Sequence, residues 1–222
     1  MQRIDKSTVL ANEYKLWEEN LEANQTKHPP YNSSKHKYYH DIVANLFYCQ
    51  KGLCAYSEAF LCPATFYQPE NWQQGKYVGK AEFLGQLEHF DPELKANKAW
   101  LWDNLFMVHS DINTKQKGSK PVDAILKPDR EGYNPFELLR YDEQEHKFYP
   151  NIEKVTDEAT QQRIISMILV LGINFPPFID LRRELLNKIK TGIEFGNETW
   201  QNARVSQFPT AFEMLKKKYT QH

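Results

Sequence analysis

The sequence predicts an α+β fold, and three observations carry that prediction. Apolar residues recur with helical spacing over 39–50, short strand-like segments punctuated by Pro and Gly occupy 83–149, and helical spacing returns through the last third. The 222 residues are 41% hydrophobic and 14% aromatic, enough to build a core, so global disorder is excluded. The 28 Lys and Arg stand against 29 Asp and Glu, a net charge of -1, which argues against a general basic coat for nucleic acid and directs attention to local patches.

Residues 1–35 are polar and read as an arm. Leu10, Tyr14 and Trp17 permit one short helix there before His28-Pro29-Pro30 breaks it. From Tyr39 onward, Ile42, Val43, Leu46, Phe47 and Gln50 follow a helical repeat that Lys51-Gly52 terminates, and this helix delivers Cys54. Pro63, Pro69 and Gly75 mark a turn-rich stretch. A first strand follows over 83–90, with Phe83, Gly85, Leu87 and His89 alternating along it. Residues 91–104 read as a loop, 105–109 as a second strand, and Ser110 as the N-cap of a helix beginning Asp111-Ile112-Asn113. Beyond Gly118, short strands are expected at 123–126, 136–141 and 146–149, with Pro128, Gly132 and Pro135 between them. Ile164, Ile165, Ile168, Leu169 and Leu171 then make a buried helix that Pro176-Pro177 breaks. Leu181, Leu185, Leu186 and Ile189 make another that stops at Gly192, and a last helix over 211–219 carries Lys216, Lys217 and Lys218.

The division expected is an arm at 1–35, a core at 36–150 and a helical region at 151–222 that packs on the core. The aromatic turn Phe175-Pro176-Pro177-Phe178 is expected either to dock a partner or to complete the core. The longest apolar run, 164–173, is about half of the ~20 residues a membrane span needs, and the N-terminus has no apolar segment of a secretory leader. Three cysteines crowded into 49–62 suit a reducing compartment better than a disulfide framework, so the cytoplasm is the expected location.

The chemistry concentrates in LEHFDP (87–92) and WDNLFMVHSDINTKQKGSK (102–120). Taken singly, its His and Asn residues are ordinary strand, turn and cap residues. In combination and in the order strand, loop, strand, helix, they resemble the HNH, or ββα-metal, nuclease motif, here at about 50–130. The resemblance implies that His89 is the general base, Asn104 the middle asparagine and Asn113 the metal-binding residue on the helix, with Glu88 as an acidic metal ligand. Those residue types suit phosphodiester hydrolysis, which needs a base that is neutral near pH 7 and positive charge at the phosphate. A hard oxygen site of this kind implies Mg²⁺ or Mn²⁺. Lys115, Lys117 and Lys120 form the local basic patch and are expected to grip backbone phosphates. Glu88 and His89 are adjacent, and on a regular strand adjacent side chains face opposite ways, so both serve one site only by straddling the phosphate or by distorting the strand.

Many HNH proteins carry two zinc-binding CxxC pairs. Here Cys54-Ala55-Tyr56-Ser57 keeps one sulfur and His109-Ser110-Asp111-Ile112 keeps none, which excludes a four-thiolate site. Cys49, Cys54, Cys62 and His109 are the residues left for an irregular zinc site; ordinary buried thiols are the favoured reading, and structural Zn²⁺ is not expected. Over 39–186 the succession YHDIVANLFYCQKGLCAYSE, LEHFDP, WDNLFMVHSDINTKQKGSK, AILKPDREGYNPFELLRYD and LVLGINFPPFIDLRREL resembles the PtuB family, the HNH subunit of Septu and retron-linked anti-phage systems. That resemblance implies a nuclease acting on DNA or RNA with a PtuA-type ABC ATPase, in some systems restrained by a retron reverse transcriptase and its RNA–DNA hybrid. The rival expectation is a catalytically silent adaptor that keeps the HNH fold to bind an ATPase or nucleic acid.

Overall fold

The computed structural model describes residues 1–33, 35–80 and 84–220. It is an α+β arrangement in which three two-stranded antiparallel sheets lie among helices. Phe83, expected to open the first strand, lies outside the described residues.

Helix α1 (Asn12–Ala23) is not peripheral. Met1, Ile4, Ala11 and Tyr14 are buried in the same cluster as the strands, and the Tyr14 hydroxyl donates to the Trp100 carbonyl at 2.6 Å. The 1–35 stretch reads as a polar arm because its few apolar residues are scattered, yet Met1, Ile4, Ala11 and Tyr14 among them point inward. Helix α2 (Tyr39–Gln50) closes as its sequence indicates, with Lys51 left-handed at φ 56°. Gly52 follows at φ +72°, where a Cβ would lie 2.0 Å from the Cys62 carbonyl oxygen, so only glycine fits.

Strands β1 (Trp72–Gln73) and β2 (Lys76–Tyr77) form a minimal hairpin. Strands β3 (Gln86–His89) and β4 (Leu105–Val108) pair with Gln86 opposite Val108 and His89 opposite Leu105. All four residues of β4 are buried. The far edge of β4 is satisfied by Gln50, whose amide donates to the Met107 carbonyl at 2.8 Å and accepts the Met107 N–H at 2.9 Å. A buried glutamine thus supplies the hydrogen bonds a third strand would make.

The helix after β4 begins without a side-chain cap and runs as a π-helix over Ile112–Lys117. Ser110, expected to cap it, instead accepts the Thr114 hydroxyl on its carbonyl at 2.9 Å. Two strand expectations give way to local capping. Asp123 accepts from the Ile125 N–H and folds Ala124–Leu126 into a 3₁₀ turn. Asn134 caps and Pro135 starts the short helix α3 (Pro135–Leu138), so that strand begins only at β5 (Leu139–Asp142), which pairs with β6 (Lys147–Pro150).

Helix α4 (Glu158–Val170) is capped by Asp157. Pro176 begins α5 (Pro176–Glu194) as an N1 proline, and α5 continues through Gly192, an interior glycine that costs only about 1 kcal/mol, to end before Gly196. Helix α6 (Pro209–Thr220) closes the chain onto the core. Its seat is Glu58, a buried residue at φ 63° whose carboxylate accepts the Thr210 N–H at 3.0 Å and the Thr210 hydroxyl, and lies 3.3 Å from the Met1 amine. No helix among the described residues is long and apolar enough to cross a membrane.

Candidate active site

Alternation along β3 turns Gln86 and Glu88 to one face and His89 to the other. The first face meets the π-helix. Asn113 donates its side-chain N–H to Gln86 Oε1 at 2.8 Å, and Lys117 Nζ lies 2.5 Å from Glu88 Oε1. The two contacts run in parallel, Asn113 to Gln86 and, four residues on, Lys117 to Glu88, two residues along the strand. Lys117 Nζ also donates to the His89 carbonyl at 2.8 Å. Both partners of the Glu88–Lys117 pair are buried, and desolvation raises the Glu88 pKa while Lys117 opposes the rise.

His89 turns toward the 91–104 loop and is 4% exposed. Its Nε2 lies 2.8 Å from the Ala99 carbonyl oxygen, which can only accept, so Nε2 carries the proton and Nδ1 keeps the free lone pair. Burial pulls its pKa down to about 4, the Ala99 bond opposes that shift, and the charges of Lys95 and Lys117 reinforce it. The imidazole is therefore neutral at pH 7. Tyr31 stands edge-on to it, ring centroids 5.0 Å apart at 82°.

Asn104 shapes the loop that presents Ala99. Its side-chain oxygen accepts the Asp91 N–H at 2.8 Å and its amide donates to the Asp91 carbonyl at 2.9 Å, while its own carbonyl accepts the Phe90 N–H at 2.8 Å. With both ends of its side chain on Asp91, Asn104 acts by holding the loop.

The structure thus joins Glu88 to Lys117 and Asn113 to Gln86, and sends His89 to the opposite side of the strand. The expected phosphate-gripping lysines are differently employed. Lys117 is wholly buried on Glu88, Lys115 is paired with Asp111 at 2.8 Å, and Lys120 donates to the Gln116 carbonyl. A hard dication asks for about six oxygen ligands with net negative charge. Here the one buried carboxylate beside the π-helix is already neutralised by an ammonium, and among the described residues no group of three or more His, Cys, Asp or Glu is arranged to hold a metal ion. As arranged, Glu88 and Asn113 do not fit Mg²⁺ or Mn²⁺.

The three cysteines are free thiols. Cys54 Sγ accepts the His109 N–H at 3.3 Å, Cys49 Sγ donates to the Thr8 carbonyl at 3.5 Å, and Cys62 Sγ donates to the Pro63 carbonyl at 3.6 Å. Burial pushes the Cys49 and Cys62 thiols up to about 11. His109 directs its ring edge-on to Phe178, with Nδ1 accepting the Asp111 N–H at 3.2 Å. Each of the four thus has a local partner of its own.

Two residues beside His89 escape the sequence reading. Tyr31 comes from the stretch read as an arm, and Lys95, whose ammonium lies 4.6 Å from the Tyr31 ring centroid, from a segment read as plain loop. The charge of Lys95 acts on both Glu88 and His89. The only signal for either is their proximity after folding. No protein-family model and no curated protein matches this chain.

Proposed function

We propose that this chain is an HNH-type nuclease, a phosphodiester hydrolase with His89 as general base, working as the effector subunit of a bacterial anti-phage complex with a PtuA-type ABC ATPase and, in some systems, a retron reverse transcriptase and its RNA–DNA hybrid. The observation that carries the reading is the tautomer of His89. A buried imidazole with Nε2–H fixed on a backbone carbonyl leaves Nδ1 as the proton acceptor, neutral at pH 7 although burial makes it a weaker base than a solvated histidine. The strand, loop, strand, helix order supports the assignment of a ββα core around it.

In the reaction, Nδ1 takes one proton of a water molecule as the water oxygen bonds to phosphorus, the bond to the leaving oxygen breaks, and that oxygen departs with the electron pair and takes a proton from solvent water. Asn104 keeps the loop, and through it the Ala99 carbonyl, in place while His89 carries the extra proton. The Mg²⁺ or Mn²⁺ of the family resemblance enters no step, because Glu88 is held by Lys117.

The test is cleavage of labelled duplex DNA, single-stranded DNA and RNA by the purified chain, with and without the ATPase, in Mg²⁺, Mn²⁺ or EDTA. Wild type is expected to cleave at least one substrate, and His89→Ala to lose ~10²–10⁴ in rate. No cleavage under any condition rejects the reading.

A second reading, the silent HNH-fold adaptor, is favoured by the burial of the site, where His89 is 4% exposed and Lys117 neutralises Glu88. Phage plaque counts separate the two, since His89→Ala abolishes protection by an enzyme and leaves that of an adaptor intact.

A further inference from the structure

We infer that Tyr31 and Lys95 form a subsite for an unpaired nucleotide beside the scissile phosphate, the base lying on the Tyr31 ring and the phosphate on the Lys95 ammonium. The inference rests on the nuclease reading of His89 and gives it a substrate class.

Tyr31 is half-buried, edge-on to His89 and stacked on Trp100 with centroids 5.0 Å apart at 25°. Trp100 is itself immobile: it is fully buried, its indole N–H donates to the Pro29 carbonyl at 3.1 Å, and its backbone N–H donates to His28 Nδ1 at 3.1 Å. The tyrosine ring is therefore a fixed platform rather than a loose cover. With Trp100 against one face, sterics put the Lys95 ammonium over the other. Lys95 is exposed and has no carboxylate partner among the described residues, whereas Lys115 and Lys117 are paired with Asp111 and Glu88. It is the cation best placed to meet a phosphate arriving at His89.

The exchange favours the nucleotide. An exposed cation–π contact is worth about two- to fivefold in an equilibrium constant, whereas a base stacked on an aromatic side chain is worth about five- to hundredfold. A base can therefore displace the ammonium from the ring and release it to the adjoining phosphate. A paired base is already stacked within its duplex and cannot lie on Tyr31, so single-stranded DNA or RNA is preferred.

The test is fluorescence anisotropy with fluorescein-labelled dT₁₂, U₁₂ and a 12-base-pair duplex, in a His89→Asn background so that cleavage does not interfere. Tyr31→Leu is expected to weaken both single-stranded probes about tenfold and leave the duplex unchanged, with Tyr31→Phe binding as the parent does. Lys95→Gln should lower the slope of log affinity against log salt by about 0.7 for the single strands. Equal losses for duplex and single strands, or unaltered affinity in Tyr31→Leu, overturn the subsite alone. A parent protein that binds none of the probes overturns the nuclease reading with it. The dT₁₂ and U₁₂ arms distinguish DNA from RNA.

Discussion

His89 has a folded pKa of about 4 against an ordinary 6.5, the effect of burial. As pH falls from 6.5 toward 4, the unfolded chain takes up a proton that the folded chain refuses, so stability is lost in that window and fully present above it. The loss amounts to roughly 3 kcal/mol at its limit. Urea midpoints at pH 7 and pH 4.5 should therefore differ, and by less in His89→Asn. On the proposed nuclease reading, the same shift puts the acid limb of kcat/KM near pH 4, and a limb near 6.5 would show that the working imidazole is solvated. The Glu88–Lys117 pair makes a separate prediction. Lys117→Met strands a buried carboxylate and should cost about 3–5 kcal/mol in urea denaturation, while adding Glu88→Gln should recover most of it. Freed of its ammonium, Glu88 in Lys117→Met should also bind Mn²⁺ more tightly than wild type does, as measured by calorimetry. At this scale the sequence shows which residues are unusual and conceals their company. Lys117 looked like a surface cation because lysines usually are, and only the four-residue step from Asn113, set against Gln86 and Glu88, turns it inward.

Elements whose ends are written locally were legible. Helix α2 ends on Lys51-Gly52 as read, and β3 and β4 fall inside their expected ranges. Others were misread where a cap outcompeted a β-rich composition, as Asn134-Pro135 did at α3. The loop between β3 and β4 depends on a single side chain. Asn104→Ala removes two hydrogen bonds to Asp91, so a loss of roughly 1–3 kcal/mol is expected in urea denaturation and, on the proposed nuclease reading, slower cleavage as Ala99 loosens from His89. The aromatic turn before α5 divides. Phe178 is 2% exposed and packs on His109, whereas Phe175 is half-buried at the surface, so a docking role through Phe178 is ruled out by its place in the core. Circular dichroism should show Phe178→Asp unfolded and Phe175→Asp folded.

Across the whole molecule one buried cluster runs from Met1 to Leu215, so the stretch read as a polar arm shares a core with the helical region expected to pack there. Composition could not show this, because long-range burial of scattered apolar residues leaves no periodic trace. Glu58 is the clearest case, a carboxylate that joins the first residue, a turn in the core and the start of α6. Glu58→Gln should lower Tm and loosen both ends together, seen as hydrogen exchange rising at 1–10 and 205–215 in concert. Its partner Thr210 lies 152 residues downstream. At a ribosomal pace of about 5–20 residues per second, the nascent chain must keep that acid waiting about 8–30 s before its hydroxyl and amide partners exist. Until then the carboxylate has only the Met1 amine as its partner, so the seat of α6 is completed only after Thr210 has been made.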